Sequence, residues 1–219
     1  MIKPSTFIVF SITLVFVLLI SIYPVNSKSA QAVASNSTPI ELEVIILLSD
    51  GAQALPDFEL IDHNKRILGK ARLKGKWNLM FFGYTSCPDI CPTTLNEMNH
   101  MVKAIDDPEV LEAVRVYFVS VDPQRDKPAL LATYMAYFNP DFTGATADIE
   151  KLKVLTSAVG VSHKIKKKSE DDLTYAVSHS GFVVLIDPEV QFTGLFFSAP
   201  DNVQAVARDM IRLVERSDN

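Results

Sequence analysis

Blocks of apolar and polar positions along the chain predict strands and helices in a clear order. Two continuous apolar runs, residues 77–84 and 114–122, are typical of central strands that are buried on both faces. From Pro92, apolar residues spaced by three and four positions predict a helix with one buried face. The remaining patterns predict a strand hairpin within residues 55–70, strands over residues 142–147, 173–187 and 190–199, and helices over residues 128–138, 148–160 and 202–216.

The predicted elements follow the order hairpin, βαβαβ, helix and ββα. Strands that alternate with helices indicate parallel pairing, and the last two strands add antiparallel pairing. This α/β order is that of a thioredoxin-like fold with an added N-terminal β-hairpin and an inserted helix. Ligands of such sheets bind beyond the carboxyl ends of the central strands, so we expect the functional site just after the strand that ends near residue 84.

The N-terminal region differs from the rest of the chain. Residues 7–24 carry no charge and approach the length of a transmembrane helix, although a signal peptide cleaved near residues 32–34 would also fit. Lys3 precedes this run, which predicts that the rest of the chain lies outside the cytoplasm. We expect an anchor or signal segment over residues 1–24, a tether over 25–50 and a folded domain over 51–219, with the domain in the periplasm at the bacterial inner membrane.

Charge and cysteine content narrow the range of functions. The formal net charge of −5 at pH 7 argues against a nucleic-acid partner, which would require a basic surface. The chain has two cysteines, Cys87 and Cys91, within "FFGYTSCPDICPTT". Because oxidising compartments favour disulfides, a pair of cysteines in an exported domain requires an explanation.

The spacing of the cysteines favours metal ligation over dedicated disulfide exchange. Three residues separate Cys87 from Cys91, whereas exchange motifs usually have two. If both open a helix, their Cα atoms lie about 6 Å apart on one side, near the upper limit for a disulfide. The helix N-terminus should also lower the thiol pKa values. A soft dithiolate selects Cu(I), zinc or iron–sulfur, and two sulfurs with one imidazole suit a trigonal copper site.

Four histidines are candidates for the third ligand. On the predicted helix, His100 turns away from the sulfurs and Met98 belongs to the core. His63 lies in a hairpin turn and His163 in a charged loop, so both are expected to be solvated. His179, in "AVSHSGF", enters a strand whose preceding loop packs beside the first helix in a thioredoxin-like fold. We therefore favour His179.

Three motifs resemble those of the Sco/SenC family of copper chaperones for cytochrome c oxidase assembly. "FFGYTSCPDICPTTL" resembles the family signature, "SVDPQRD" is similar to a second motif, and "LPDFELIDHN" with "GKW" is similar to its entry hairpin. The likeness runs from about residue 55 to the C-terminus. The resemblance implies that copper, as Cu(I) or Cu(II), is bound by Cys87, Cys91 and His179.

The resemblance also implies a function and its partners. A membrane-tethered metallochaperone would deliver copper to the binuclear copper A site of cytochrome c oxidase, or reduce the cysteines of that site, or both. Its partners would be the copper A subunit, other copper chaperones or thiol–disulfide reductants, and the membrane. The alternative is an extracytoplasmic thiol–disulfide oxidoreductase that uses Cys87 and Cys91 without His179. A peroxiredoxin-type peroxidase is excluded, because its motif requires threonine or serine where Tyr84 and Pro88 stand.

A few positions near these motifs carry further expectations. Ser178 stands where the family usually has aspartate, and Lys65 stands where it usually has glycine. Asp126 is expected to cap the following helix. Asp122, at a strand end, either supports the metal ligands or has no part in the site. The charged run 166–172 is either a solvated loop or a docking edge for an oxidase subunit.

Overall fold

The computed structural model describes residues 40–167, 169, 172 and 174–217. The predicted anchor and the first part of the predicted tether, residues 1–39, lie outside the described residues. Among the described residues, no helix has the length and apolar character needed to cross a membrane.

A mixed β-sheet forms the centre of the described part of the chain. Its strands are β1 (Ile46–Leu47), β2 (Gln53–Ala54), β3 (Leu60–Asp62), β4 (Ile67–Leu68), β5 (Trp77–Gly83), β6 (Val114–Ser120), β7 (Thr143–Thr146), β10 (Val183–Ile186) and β11 (Gln191–Phe196), with β8 (His163–Lys166) and β9 (Ala176–His179) outside it. The helices are α1 (Lys70–Leu73), α2 (Ile90–Ala104), α3 (Pro108–Ala113), α4 (Pro128–Phe138), α5 (Ile149–Ala158) and α6 (Val203–Ser217).

The sheet order places β5 and β6 at its centre. The order is β1-β11-β10-β5-β6-β7-β3-β4, and β2 pairs with β11. β5 runs parallel to β6, and β6 runs parallel to β7, whereas β10 is antiparallel to both β5 and β11. Every residue of β5 is buried, as the continuous apolar run predicts. The predicted βαβαβ order and final ββα unit are thus present, and β5 directs its carboxyl end toward the cysteines.

Residues 40–50 of the predicted tether and the predicted domain belong to one compact unit. It begins at Ile40, and the backbone N–H groups of Glu43, Val44 and Ile45 all donate to the buried carboxylate of Asp209 on α6. β1 then pairs with β11. Part of the segment that the sequence predicts as a tether is therefore held by a buried carboxylate from the C-terminal helix.

The region after α5 also differs from the prediction. The expected charged loop contains the strand β8, which pairs antiparallel with β9 in a separate two-stranded sheet, here called the ribbon. The long strand predicted over residues 173–187 is divided into β9, which belongs to the ribbon, and β10, which belongs to the main sheet. Helix α3, capped by the Asp107 side chain, was not predicted.

The predicted entry hairpin is formed by β3 and β4. Lys65 in its turn has a φ of 61°, in the left-handed region that favours glycine. The structure thus accounts for the glycine that the family usually has at this position.

Candidate metal centre

Cys87 and Cys91 lie on either side of the start of α2. Asp89 is the N-cap residue of α2, so Cys91 belongs to its first turn, whereas Cys87 precedes it in the loop after β5. The expectation that both cysteines open a helical turn is therefore wrong for Cys87, whose N–H donates to the Tyr84 carbonyl at 3.2 Å. Both side chains are free thiols, with Cys91 buried and Cys87 half-buried.

The end of β5 leaves space for the sulfur of Cys91. A Cβ atom added to Gly83 would lie 2.6 Å from Cys91 Sγ and 2.9 Å from Phe118 Cε2. Neither distance is compatible with van der Waals contact, so Gly83 allows Cys91 to pack directly against the strand. The central sheet thereby fixes the position of this sulfur.

His179, the last residue of β9, faces the two sulfurs. Its Nε2 lies 3.3 Å from Cys91 Sγ, and its Nδ1 lies 2.9 Å from the carbonyl oxygen of Ser180. A carbonyl oxygen only accepts hydrogen bonds, so we assign the proton to Nδ1, which leaves the Nε2 lone pair available for a metal. The ring also packs edge-on against Phe81 and Tyr84, with centroid distances of 5.9 and 5.8 Å.

The sequence prediction placed Cys87, Cys91 and His179 at one site, and the structure brings their side chains together. The donor atoms of all three lie within 4.8 Å of one another. Among the described residues, these three side chains are a group close enough to share one metal ion.

Burial affects the protonation of the site in the metal-free protein. Desolvation raises the pKa of the Cys91 thiol, and a backbone hydrogen bond at Tyr84 opposes the rise only in part. The predicted lowering of this pKa by the helix N-terminus is therefore wrong for Cys91, because loss of hydration raises it and the neighbouring Cys87 adds to the rise. A metal ion that binds here replaces the thiol proton.

Asp126 fixes the loop that leads to Cys87. Its carboxylate accepts hydrogen bonds from Thr85 N at 2.8 Å, Thr85 Oγ1 at 2.6 Å and Ser120 Oγ at 2.5 Å. The N-cap residue of α4 is Lys127, without a side-chain cap. The prediction that Asp126 caps this helix is therefore wrong, because its side chain turns inward to the loop after β5.

Asp122 connects the central sheet to the ribbon. It accepts hydrogen bonds from Arg125 Nε and from the Tyr175 hydroxyl, each at 2.5 Å. Arg125 also donates to the Tyr175 carbonyl at 3.0 Å, and its guanidinium carbon lies 3.8 Å from the centroid of the Tyr175 ring and 5.5 Å from that of Tyr84. Tyr175 directly precedes β9, so this contact network supports the strand that carries His179.

Sequence reasoning missed Arg125 and Tyr175 as supporting residues. Arg125 lies in "SVDPQRD", and the charged position inside that motif was the available signal. Tyr175 gave no comparable signal, because its partner Asp122 is 53 positions away in the chain.

Among the other residues considered as metal ligands, His163 is the one that lies beside His179. His100 is exposed and Met98 is buried in the core, as predicted. His63 is half-buried and accepts the Gly144 N–H at 3.2 Å, so the prediction of a solvated side chain is wrong. His163 is also half-buried, because it lies in β8, where its register partner is His179.

Ser178 is exposed, and its hydroxyl donates to the Lys164 carbonyl at 3.4 Å. Successive side chains of a strand point to opposite faces, so Ser178 and His179 point away from each other. In this chain the orientation of the imidazole therefore depends on the carbonyl of Ser180 and not on the side chain before the histidine.

The fold and the site define a thioredoxin-like α/β domain with a cysteine–cysteine–histidine group beyond a central strand. The SCO1/SenC family model matches residues 48–215. The chain therefore belongs to the SCO1/SenC family, and both the predicted family and the predicted fold are confirmed.

Individual relatives agree with this assignment. A "putative copper-binding protein" of Stutzerimonas stutzeri is 35% identical over 170 residues, which are 78% of this chain and 81% of that protein. Bradyrhizobium japonicum ScoI with copper bound has 31% identity and a TM-score of 0.62, covering 71% of this chain and 98% of that one. Yeast Sco1 with copper bound has 26% identity and a TM-score of 0.67, covering 74% and 89%. Together with the cysteine–cysteine–histidine group, these relatives support a copper-binding protein of the Sco type.

Proposed function

We propose that the chain binds one copper ion through Cys87, Cys91 and His179 and serves as a copper chaperone in the assembly of cytochrome c oxidase. The observation that carries the proposal is the convergence of two free thiols and one imidazole within 4.8 Å. Membership of the SCO1/SenC family supports the same ligand set.

The donor set selects copper on chemical grounds. Thiolates are soft ligands that favour Cu(I), and an imidazole suits both oxidation states of copper. A structural zinc site would take four protein ligands, and the group offers three. Cu(I) accepts a low coordination number, so three donors are sufficient.

The difference in burial between the two cysteines fits a protein that gives its metal away. Cys91 is buried against the sheet, whereas Cys87 is half-buried in the loop before α2. A partner thiol or imidazole can approach from the side of Cys87 and exchange ligands one at a time. The proposed recipient is the copper A subunit of the oxidase, and the proposed sources are other copper chaperones.

The proposed location follows from the N-terminal apolar run. Residues 1–24 would anchor the protein in the bacterial inner membrane, with the domain on the periplasmic side. Membrane fractionation with a carbonate wash tests this proposal. A shortened protein released into the soluble periplasm would instead indicate cleavage of a signal peptide.

A second candidate function is thiol–disulfide exchange with the cysteines of the oxidase. The observation that favours it is that both sulfurs are free and adjacent. Two thiolates would reduce a client disulfide, and Cys87 and Cys91 would be joined in a disulfide as the client gains two thiols. Copper binding and this reaction exclude each other, because both need the same two sulfurs as thiolates.

Copper stoichiometry of the reduced protein tests the main proposal. We expect one Cu(I) per chain in the wild type, with X-ray absorption showing two sulfur neighbours and one nitrogen. His179→Ala should lose the nitrogen and retain copper poorly against a chelator. His100→Ala, which removes an exposed histidine from α2, is the matched control and should behave as the wild type. Wild-type retention in His179→Ala would contradict the ligand set, and equal loading of oxidised protein would contradict the role of the sulfurs.

Transfer to a client separates the two candidate functions. Two equivalents of copper-loaded protein mixed with the reduced copper A domain should transfer two Cu(I) ions to that domain and leave this chain copper-free. If no copper is transferred, and copper-free reduced protein instead gives the oxidised copper A domain two thiols while Cys87 and Cys91 form a disulfide, exchange chemistry is the activity.

A further inference from the structure

The strand β8 places a second histidine opposite His179. In the register of the ribbon, His163 is the partner of His179. Ser180 N donates to the carbonyl of Ser162 at 2.9 Å, which makes the next pair, His163 with His179, a non-hydrogen-bonded pair. Side chains of such pairs approach most closely, with Cβ atoms about 4.5–5.5 Å apart on the same face.

The burial pattern shows that this shared face points into the domain. Along β8, His163 and Ile165 are half-buried, whereas Lys164 and Lys166 are exposed. Along β9, Val177 and His179 are the inward residues. The His163 ring makes no hydrogen bond to any of the described residues, so its nitrogens are not engaged elsewhere in that part of the chain.

We propose that His163 is a second imidazole ligand of the copper site, which binds when the ion is Cu(II). This inference rests on the proposed function, because it needs Cys87, Cys91 and His179 to hold the ion. Cu(I) would use those three ligands, and Cu(II) would use the same three plus His163.

The coordination chemistry of copper explains the difference. Cu(II) prefers four ligands in a square-planar or tetragonal arrangement and has a high affinity for nitrogen, whereas Cu(I) is satisfied by soft sulfur. His163 is not among the three side chains whose donor atoms already lie within 4.8 Å of one another, so its ring must rotate toward the ion. Its pairing with His179 on one face would allow this rotation without a change in strand pairing. The site would then offer two sulfurs and two nitrogens to Cu(II).

Pulsed EPR of the Cu(II)-loaded full chain tests the proposal directly. The protein is labelled with 15N at histidine so that bound imidazoles can be counted apart from water. We expect two imidazoles in the wild type and one in His163→Ala. His163→Gln, which keeps a polar side chain, serves as a second variant, and His100→Ala is again the matched control. If every His163 variant fails to fold, the count in the wild type decides alone.

Relative affinities give a second readout. In His163→Ala we expect the Cu(II) affinity to fall at least about tenfold, since the loss of a supporting residue already costs that much at metal sites. The Cu(I) affinity should stay within about twofold. The Cu(II)/Cu(I) potential should rise accordingly, by about 59 mV for each tenfold change in the affinity ratio.

The outcomes distinguish this inference from the proposed function. One imidazole in the wild type, or an unchanged affinity ratio in His163→Ala, overturns the role of His163 and leaves the three-ligand site intact. Full Cu(I) retention in His179→Ala overturns the three-ligand site itself.

Discussion

Cys91 is packed against the central sheet, whereas His179 ends a two-stranded ribbon that lies outside that sheet. The sulfur is held by buried strand residues, with Gly83 leaving space for it. The imidazole is held by one hydrogen bond to a carbonyl oxygen, by two ring edges, and by the polar contacts of Asp122, Arg125 and Tyr175. The same metal site is therefore supported by a rigid part and by a more adaptable part.

This difference suggests that Cys91 and His179 have different roles in metal binding. A close-packed core tolerates little displacement, so Cys91 provides a fixed position for the metal. The ribbon is a separate two-stranded sheet that packs on the core through Tyr175, Val177 and Ile165, and we expect its position to adapt to the oxidation state of the metal or to a partner. A chaperone needs both properties, because it must bind copper firmly and then release it.

The largest effect is expected from Gly83→Ala, which acts on the rigid part. The new methyl group would displace the Cys91 sulfur and the Phe118 ring, so we expect a loss of about 1–3 kcal/mol in the free energy of unfolding, with a large loss of Cu(I) affinity. Chemical denaturation and chelator competition measure the two effects.

Gly181→Ala is the matched control for this variant. Its methyl group would meet the Ile90 side-chain end at 2.7 Å, and that side chain is 43% exposed and free to rotate away. Equal losses in the two variants would show that the position of Cys91 is not the sensitive feature.

A smaller effect on copper affinity, at a similar cost in the free energy of unfolding, is expected from Tyr175→Phe, which acts on the ribbon and leaves both sulfurs in place. Removal of the hydroxyl takes one hydrogen bond from the buried Asp122 carboxylate. A hydrogen bond to a charged group contributes about 1.5–3 kcal/mol to the free energy of unfolding, and we expect a loss of this size. Hydrogen exchange should accelerate in β9 and remain slow in β5. Tyr137→Phe, at an 83% exposed position, is the control. Equal acceleration in both strands would show that the ribbon is not an independent unit.

A still smaller effect is expected outside both parts, at Lys65. Its φ of 61° is unfavourable for a side chain, so Lys65→Gly should raise the free energy of unfolding by about 0.5–1 kcal/mol after the entropy cost of glycine. Copper affinity should not change. A urea denaturation curve measures the gain, and destabilisation would mean that Lys65 makes a contact that compensates for its strain.

The smallest effect concerns the exposed ion pairs of Glu43 and appears only in acid. Hydrogen bonding to Arg208, assisted by Arg212, lowers the pKa of Glu43 from 4.5 to about 2. A lowered folded-state pKa adds stability above pH 4.5, which is lost as the pH falls toward 2. The stability difference between wild type and Glu43→Gln should therefore be constant near neutrality and shrink over that acid range. A difference that grows in acid would contradict the assigned sign.

The rigid part of the molecule was predictable from the sequence, and the ribbon was not. The continuous apolar runs that form β5 and β6 are local signals, and so is the spacing of Cys87 and Cys91. β8 alternates inward residues with lysines, and its partner β9 lies beyond another charged segment, so nothing local identifies the pair. His179 was found through the expected fold and the family motif, whereas His163 required the register of the ribbon.

Two errors have a common physical cause. The pKa of Cys91 and the role of Asp126 were inferred from their positions near helix starts, but tertiary burial decides both. The rule that a helix start lowers a thiol pKa or is capped by a nearby carboxylate holds for a helix terminus in water. It does not hold when the same terminus faces a packed core, because desolvation and distant partners then dominate.

The carboxylate of Asp209 gives the domain a mechanical property. It accepts hydrogen bonds from three successive backbone N–H groups, those of residues 43–45, near the start of the described chain. A pulling force applied from the N-terminal side would load these hydrogen bonds together, and through them α6, before it reached the central sheet. Such an attachment would divide a load at this end of the domain among three hydrogen bonds, so that no single bond carries all of it.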